Sequence, residues 1–437
     1  MRFDSAIVEE GTSACNVPGF GMSSAVSRRL NMTPYRVVKA ISIALAITVA
    51  QVTVAVGLLA PEGPFSYRYE SLVQHDSYWF ANIVNRGYRT IVPPINHKVM
   101  EVSNVAFFPA YPALAAALRY AFNLETDTAL LLTAQAAAWG FWSYFFLFCE
   151  RWNLSTGLQT LGALSILAHP ASFFLIAAYS ESMFLMGLLG FMFWSNSAGT
   201  GGRIWAGLHG MLMSATRIVG IPCAAYPVVQ SIFSTGREFL RHPVTWLKAH
   251  RGVVVVAGVS TLGAGLFFAF CQLRWGHWDM YMLTQSAGWG ITPDYLAVFK
   301  PSSYRWLIPA LNNPTQASQM SMTIGALLLV AVGAMELIPA VRRRTDWATR
   351  IAIYFCAAVI YFVSVSGVAC VDMESMLRYE FCVHALIVLA FLHFLRQFRP
   401  PLVLVRALGV VVALASAAGL SVQGWYVWNF TRGNWVA

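Results

Sequence analysis

Phe107-Phe108-Pro109-Ala110-Tyr111-Pro112-Ala113-Leu114-Ala115-Ala116-Ala117-Leu118-Arg119-Tyr120-Ala121-Phe122 is the stretch on which the reading of the chain turns. It is apolar but short, has two prolines near its start, and is followed by Glu125 and Asp127 rather than by a basic cluster. A helix that spans a bilayer needs about 20 apolar residues. If this segment crossed, every later loop would invert. The run Arg342-Arg343-Arg344, with Arg396 and Arg399, would then face outward, against the preference of basic loops for the cytosolic side. The segment therefore reads as an interfacial or re-entrant helix.

The rest of the chain falls into place around that reading. Arg28, Arg29, Arg36 and Lys39 precede a first span at Val38–Ala60, which puts the N-terminus in the cytosol. Further spans are expected near 129–149, 157–177, 179–196, 204–218, 219–235, 252–272, 321–341, 350–370, 379–396 and 402–424. The fold class is thus an all-α polytopic transmembrane helix bundle of about eleven spans, with a long first outer loop that carries interfacial or re-entrant helices. Arg151, Arg203, the Arg237/Arg241/Lys248/Arg251 group, Arg342–Arg344 and Arg396/Arg399 then share the cytosolic side. The domain reading is a flexible cytosolic tail over 1–36, one membrane domain over 37–424 with its outer loop at 61–128, and an outer-face tail over 425–437.

Composition agrees. Of 437 residues 57% are hydrophobic and 11% charged, too apolar for a soluble chain of this length. The net charge of +10 sits in short loops between apolar runs, so it follows the membrane rule and calls for no nucleic-acid partner. Seven cysteines lie mostly inside apolar runs with no C-x-x-C spacing, and they read as small core residues. No internal repeat or low-complexity linker divides the chain.

The outer side collects the residues that could carry chemistry. In the first outer loop, His75-Asp76-Ser77-Tyr78-Trp79-Phe80 sets a carboxylate beside an imidazole and three aromatic rings, and leads to Arg86-Gly87-Tyr88. Asp76 suits a general base that takes a proton from a hydroxyl; a solvated carboxylate or a helix cap is the plainer reading. Glu181, in Tyr179-Ser180-Glu181-Ser182, is an acid at the end of a span and needs a polar cavity, or else serves the start of a helix. Glu101 is a further acid of the outer loop that could act as the base. Arg217 and Arg378 stand on the outer side, against the charge trend, and suggest a bound anion such as a lipid phosphate. Snorkelling of Arg217, and pairing of Arg378 with Asp372, Glu374 or Glu380, are the structural alternatives. No histidine pattern with metal-ligand spacing is present. A divalent metal would need Asp76, His75 and Glu101 to converge in three dimensions, and no motif calls for another cofactor.

With these residues laid out, the chain resembles the GPI mannosyltransferase 2 (PIG-V type) family and its bacterial relatives, within the GT-C superfamily of polytopic glycosyltransferases. The resemblance rests on His75–Phe80 with Arg86-Gly87-Tyr88, on Ala106-Phe107-Phe108-Pro109-Ala110-Tyr111-Pro112, on Tyr179–Phe184, on Ala215-Thr216-Arg217 and on Arg378-Tyr379, in family order over about 65–390. His75 stands where the family usually has Trp. The resemblance implies a GT-C type fold and a polyprenyl- or dolichyl-phosphate sugar donor, typically of mannose. It also implies a lipid or glycan acceptor and inversion by single displacement, with Asp76 as base. Arg217 and Arg378 would then hold the phosphate by electrostatics, and His75, Tyr78, Trp79 and Tyr179 would line the substrate site. A bacterial inner membrane with an outward-facing site fits the compact loops, and the endoplasmic reticulum is the second setting. A transporter or flippase of a lipid-linked sugar is the alternative function, although such proteins often show repeated halves.

Overall fold

Helix α1 (Pro34–Val54) opens with a proline at its first turn, where the fixed φ suits a helix and the missing N–H leaves nothing unsatisfied. It runs into a π-turn at Ala55–Leu59 whose carbonyls are taken by two arginines. Arg68 donates to the Gly57 carbonyl at 2.6 Å and Arg432 to that of Leu59 at 3.0 Å. The computed structural model describes residues 32–92, 103–197, 199–304, 314–339, 341, 346–396 and 401–436. Glu101, Arg342–Arg344, Arg399 and nearly all of the expected 1–36 tail lie outside those residues.

The first outer loop folds into three short helices, α2 (Phe65–Glu70), α3 (Ser77–Arg86) and α4 (Ala110–Phe122), before the long α5 (Thr126–Arg151). Helix α4, the stretch that decided the reading, stays beside the start of α5. The Tyr111 hydroxyl donates to the Leu130 carbonyl at 2.8 Å, while Arg119 and Thr126 both donate to Asn85 Oδ1, at 2.8 and 2.7 Å. Its 13 residues rise about 20 Å, short of a hydrocarbon core of about 30 Å.

The chain continues through α6 (Thr156–Leu167), α7 (Glu181–Ser195), α8 (Thr200–Thr216), α9 (Gly220–Cys223), α10 (Tyr226–Thr235), α11 (Arg251–Trp275) and α12 (Met280–Trp289). The last four helices are α13 (Pro314–Leu337), α14 (Trp347–Val368), α15 (Met376–Leu395) and α16 (Leu402–Phe430). Among the described residues seven helices are long and apolar enough to cross a membrane, which makes this an all-α, multi-pass membrane protein. The other four expected positions hold shorter or broken helices. The stretch 157–177 stops at Leu167, because Pro170 disfavours helix at His169 and offers no donor, and resumes as a 3-10 turn at Ser172–Leu175. The stretch 219–235 divides into α9 and α10 around Pro222 and Pro227.

Contacts sort the chain into two ends. At one, Arg36 donates to Asn153 and Lys39 pairs with Glu150, tying the start of α1 to the end of α5. Arg151 donates to the Phe193 carbonyl near the end of α7, and Gln230 of α10 bridges Asn196 and Thr349. At the opposite end Ala178 N–H donates to the Leu72 carbonyl, Asp294 N–H donates to that of Ser366, and Arg217 meets Glu181. Small residues allow close helix approach, as membrane bundles require: a Cβ on Gly187 of α7 would stand 3.0 Å from the Met213 amide of α8.

A two-ended bundle makes a labelling prediction. In a background without Cys370, a cysteine at Ser302 reacts with an impermeant maleimide applied from outside. One at Ser234, on the α10 end, reacts only after permeabilisation. The reverse pattern would invert the bundle.

Candidate active site

The site lies where three helices begin, at Ser77 of α3, Glu181 of α7 and Met376 of α15. Asp76 and Ser180 occupy the cap positions of the first two, but neither side chain caps its helix. The Asp76 carboxylate turns to Arg378, with Oδ2 2.9 Å from Nη2. Glu181 Oε1 is shared by two guanidinium groups, at 3.0 Å from Arg217 Nη1 and 3.6 Å from Arg378 Nη1. Glu181 does stand at the first residue of its helix, as the plainer reading had it, but the Asp76 side chain caps nothing and the acids that meet Arg378 are Asp76 and Glu181 rather than Asp372, Glu374 or Glu380.

The loop segments that carry these groups are fixed by the backbone. Ser77 Oγ donates to the Ala178 carbonyl at 3.0 Å and the Tyr179 hydroxyl to that of Gln74 at 3.3 Å, so the His75–Ser77 and Ala178–Glu181 segments are laced together. Gly87, at φ +69, ends α3 in a conformation that favours glycine. Asn104 then locks the turn: its side chain accepts from Arg89 N–H and donates to the Gly87 carbonyl and to Asn82. Tyr88 donates to the Phe107 carbonyl at 2.8 Å, and burial raises the proton affinity of its phenol well above the ordinary value. Its phenol serves here as a hydrogen-bond donor.

Exposure divides the four charges into two kinds. The Glu181 side chain is 1% exposed and that of Arg378 6%, whereas Arg217 is 16% and Asp76 26% exposed. Asp76 and Arg217 are thus the more exposed members of the group, and Glu181 is an interior counter-anion. Aromatic faces complete the enclosure. The Arg378 guanidinium lies 5.0 Å from the Tyr179 ring centre and 5.5 Å from that of Phe174, and Arg217 lies 4.8 Å from that of Tyr379. Ser375 accepts from Arg378 Nη2 at 2.7 Å.

The remaining sequence candidates stand outside this knot. Tyr78 is exposed and donates to Gln74 Oε1, and Trp79 packs against Phe107 and Trp289. His75, at φ +52, places Nε2 3.2 Å from the Asn434 carbonyl, and its convergence with Asp76 and Glu101 falls outside the described residues at Glu101. Trp435, which no sequence signal singled out, sits 5.7 Å from the Arg378 guanidinium and 5.0 Å from the His75 ring.

One cluster among the described residues has ligand atoms close enough for a metal: His169, Glu380 and His384, within 4.8 Å of one another. Hydrogen-bond directions decide how it is built. Ala171 N–H donates to His169 Nδ1 at 3.1 Å, so in the neutral ring Nε2 carries the proton and donates to Glu380 Oε2 at 2.6 Å. His384 Nε2 is spent on the Ser165 carbonyl at 3.1 Å. With the Nε2 lone pair of His169 unavailable, the group as arranged is a hydrogen-bonded imidazole–carboxylate pair beside a second histidine.

Comparison with known proteins gives fold likeness alone. No protein-family model and no curated protein matches the sequence. Two solved structures from Archaeoglobus fulgidus are similar to it. One is the archaeal oligosaccharyltransferase AglB in complex with an inhibitory peptide and a dolichol-phosphate, at 12% identity and a TM-score of 0.47 over 89% of this chain and 55% of that one. The other is the oligosaccharyltransferase in its apo form, at 13% identity and a TM-score of 0.46 over 91% and 56%. The chain thus spans about half the length of these proteins.

The shared anion predicts a stability order. Glu181→Ala leaves Arg217 without its carboxylate and buried Arg378 with Asp76 alone, and lowers stability by up to about 3–5 kcal/mol. Glu181→Gln, which keeps shape and two hydrogen-bonding atoms, lowers it less. Thermal unfolding in detergent measures both, and equal melting temperatures for wild type and Glu181→Ala would contradict the assignment.

Proposed function

We propose that this chain is a GT-C type membrane glycosyltransferase. It moves a sugar, mannose in the first instance, from a polyprenyl- or dolichyl-phosphate donor to a lipid or glycan hydroxyl on the outer or luminal face. The observation that carries the reading is the knot of two carboxylates and two arginines at one end of an all-helical membrane bundle, in which Asp76 and Arg217 are the more exposed acid and arginine. Intramembrane charges of this kind are costly and mark functional sites. The sequence resemblance supplies the reaction class, and the membrane supplies the lipid carrier. A bacterial inner membrane is the favoured setting.

Each charge has a role in a single displacement. The Asp76 carboxylate takes the proton of the acceptor hydroxyl as that oxygen bonds to the anomeric carbon from the face opposite the phosphate. The bond between the anomeric carbon and the phosphate oxygen breaks, and the lipid phosphate leaves with the electron pair and the developing negative charge. Arg217, the more open cation, meets that charge. Arg378 holds Asp76 in place, and Glu181 holds both arginines, so the positive ends of three helices and two guanidinium groups face an arriving anion without mutual repulsion forcing them apart. Inversion of the anomeric configuration follows from this single step.

Two sets of variants test the roles. Asp76→Asn keeps the shape but cannot accept the proton, and lowers kcat by about 10²–10⁴-fold with little change in donor binding. Arg217→Ala weakens donor use by about 1.5–3 kcal/mol, which appears mainly in donor KM, and Lys restores it only in part because it lacks the planar fork. Wild-type transfer by purified Asp76→Asn would remove this residue as the base and bring Glu101 and Glu181 forward for test.

A further inference from the structure

The last helix does not simply leave the membrane. Helix α16 ends at Phe430, Gly433 takes φ +81 and reverses the chain, and Val436 is buried. The turn is closed by Gly433 N–H to the Phe430 carbonyl at 3.0 Å and Asn434 N–H to that of Asn429 at 3.1 Å. This return brings the Asn434 carbonyl to His75 Nε2 at 3.2 Å. It also sets the His75 ring between Trp435, edge-on at 5.0 Å, and Phe430 at 5.8 Å. Trp435 meets the Arg378 guanidinium at 5.7 Å as well, so one indole touches Arg378 of the ion pair and His75, the residue before its partner Asp76. Phe430 carries the brace inward, with its ring 5.2 Å from Phe173 and 5.9 Å from Tyr179.

His75 needs such a brace. A non-glycine residue at φ +52 is in a conformation of higher energy, held only where its surroundings over-determine it. The residue that it presents next is Asp76. We infer that Asn434 and Trp435 are positioning residues of the site: the returning segment Gly433–Val436 holds the His75–Asp76 step in its left-handed turn and keeps the carboxylate on Arg378. This rests on the proposed role of Asp76 as base. The segment acts through His75 and Arg378 and is not assigned any contact with the reacting atoms.

Two readouts test it, one of them independent of transfer. In a Cys370→Ser background with a cysteine at position 74 (Gln74→Cys), beside Gly433, Trp435→Ala speeds labelling by an impermeant maleimide about tenfold or more, as local opening of the brace requires. Trp435→Phe, which keeps a ring against His75 and Arg378, labels close to the parent rate. In the transfer assay Trp435→Ala lowers kcat by about 10²-fold, the cost of displacing a catalytic group by about 1 Å, with donor KM within about twofold, and Trp435→Phe restores most of it. Should Trp435→Ala fail to fold, Trp435→Leu, which keeps apolar volume without a ring, takes its place and behaves in the same way. Unchanged labelling in the Ala or Leu variant, or a rise in KM with kcat intact, overturns the inference. If the wild-type chain transfers no sugar, the proposed reaction fails while the labelling arm still decides whether the brace exists.

Discussion

One oxygen organises the functional end of this molecule. Glu181 Oε1, almost wholly removed from solvent, is the common partner of Arg217 and Arg378. Without it two guanidinium groups would be pressed together in an apolar bundle, which is far more costly than one buried pair. Through it the start of α7, the end of α8 and the start of α15 are tied to a single point, and Arg378 carries the tie on to Asp76 at the start of α3. A buried charge network of this kind adds little to net stability against an apolar equivalent. Its value here is geometric, since it fixes the facing directions of an open carboxylate and an open arginine on helices that are far apart in sequence.

The apolar frame explains how the network can be so little exposed and still hold. Phe174, Tyr179 and Tyr379 present ring faces to the guanidinium groups, which replaces lost hydration with attraction to the rings. The broken passages serve the same end. Pro170 stops α6 early, and the 3-10 turn that follows lets Phe173 and Phe174 reach the site from within the bundle. Irregular backbone in a membrane bundle is tolerated where it is enclosed by protein, and Ser172–Leu175 are all buried.

Much of this was legible in the residues, and the reasons differ by element. The two-ended order followed from basic loops and from the shortness of Phe107–Phe122, because charge asymmetry and length are local properties of a sequence. Asp76, Glu181, Arg217 and Arg378 stood out because each is a charge where an apolar surrounding makes charge expensive. Their mutual pairing was not legible, since no spacing relates residues at 76, 181, 217 and 378. The nearby acids considered for Arg378 were the wrong ones: Glu380, two residues on, projects to another side of α15 and meets His169. That second cluster was not read from the sequence, since His169 stands far from Glu380 and His384 along the chain. Trp435 was hidden for a different reason. The outer-face tail was read without a role, and only the reversal at Gly433 turns Trp435 towards Arg378.

Sugar transfer from a lipid phosphate is the reaction proposed for this knot of charges. The most direct measurement gives purified protein in lipid vesicles a polyprenyl-phosphate mannose labelled in the sugar, with a membrane extract as the source of acceptor, and follows label and free polyprenyl phosphate together. The account predicts that label passes to a new product in step with release of polyprenyl phosphate, and that both stop in Asp76→Asn. Label that stays on the polyprenyl lipid while crossing to the other leaflet, with no new product, would contradict it and favour a flippase.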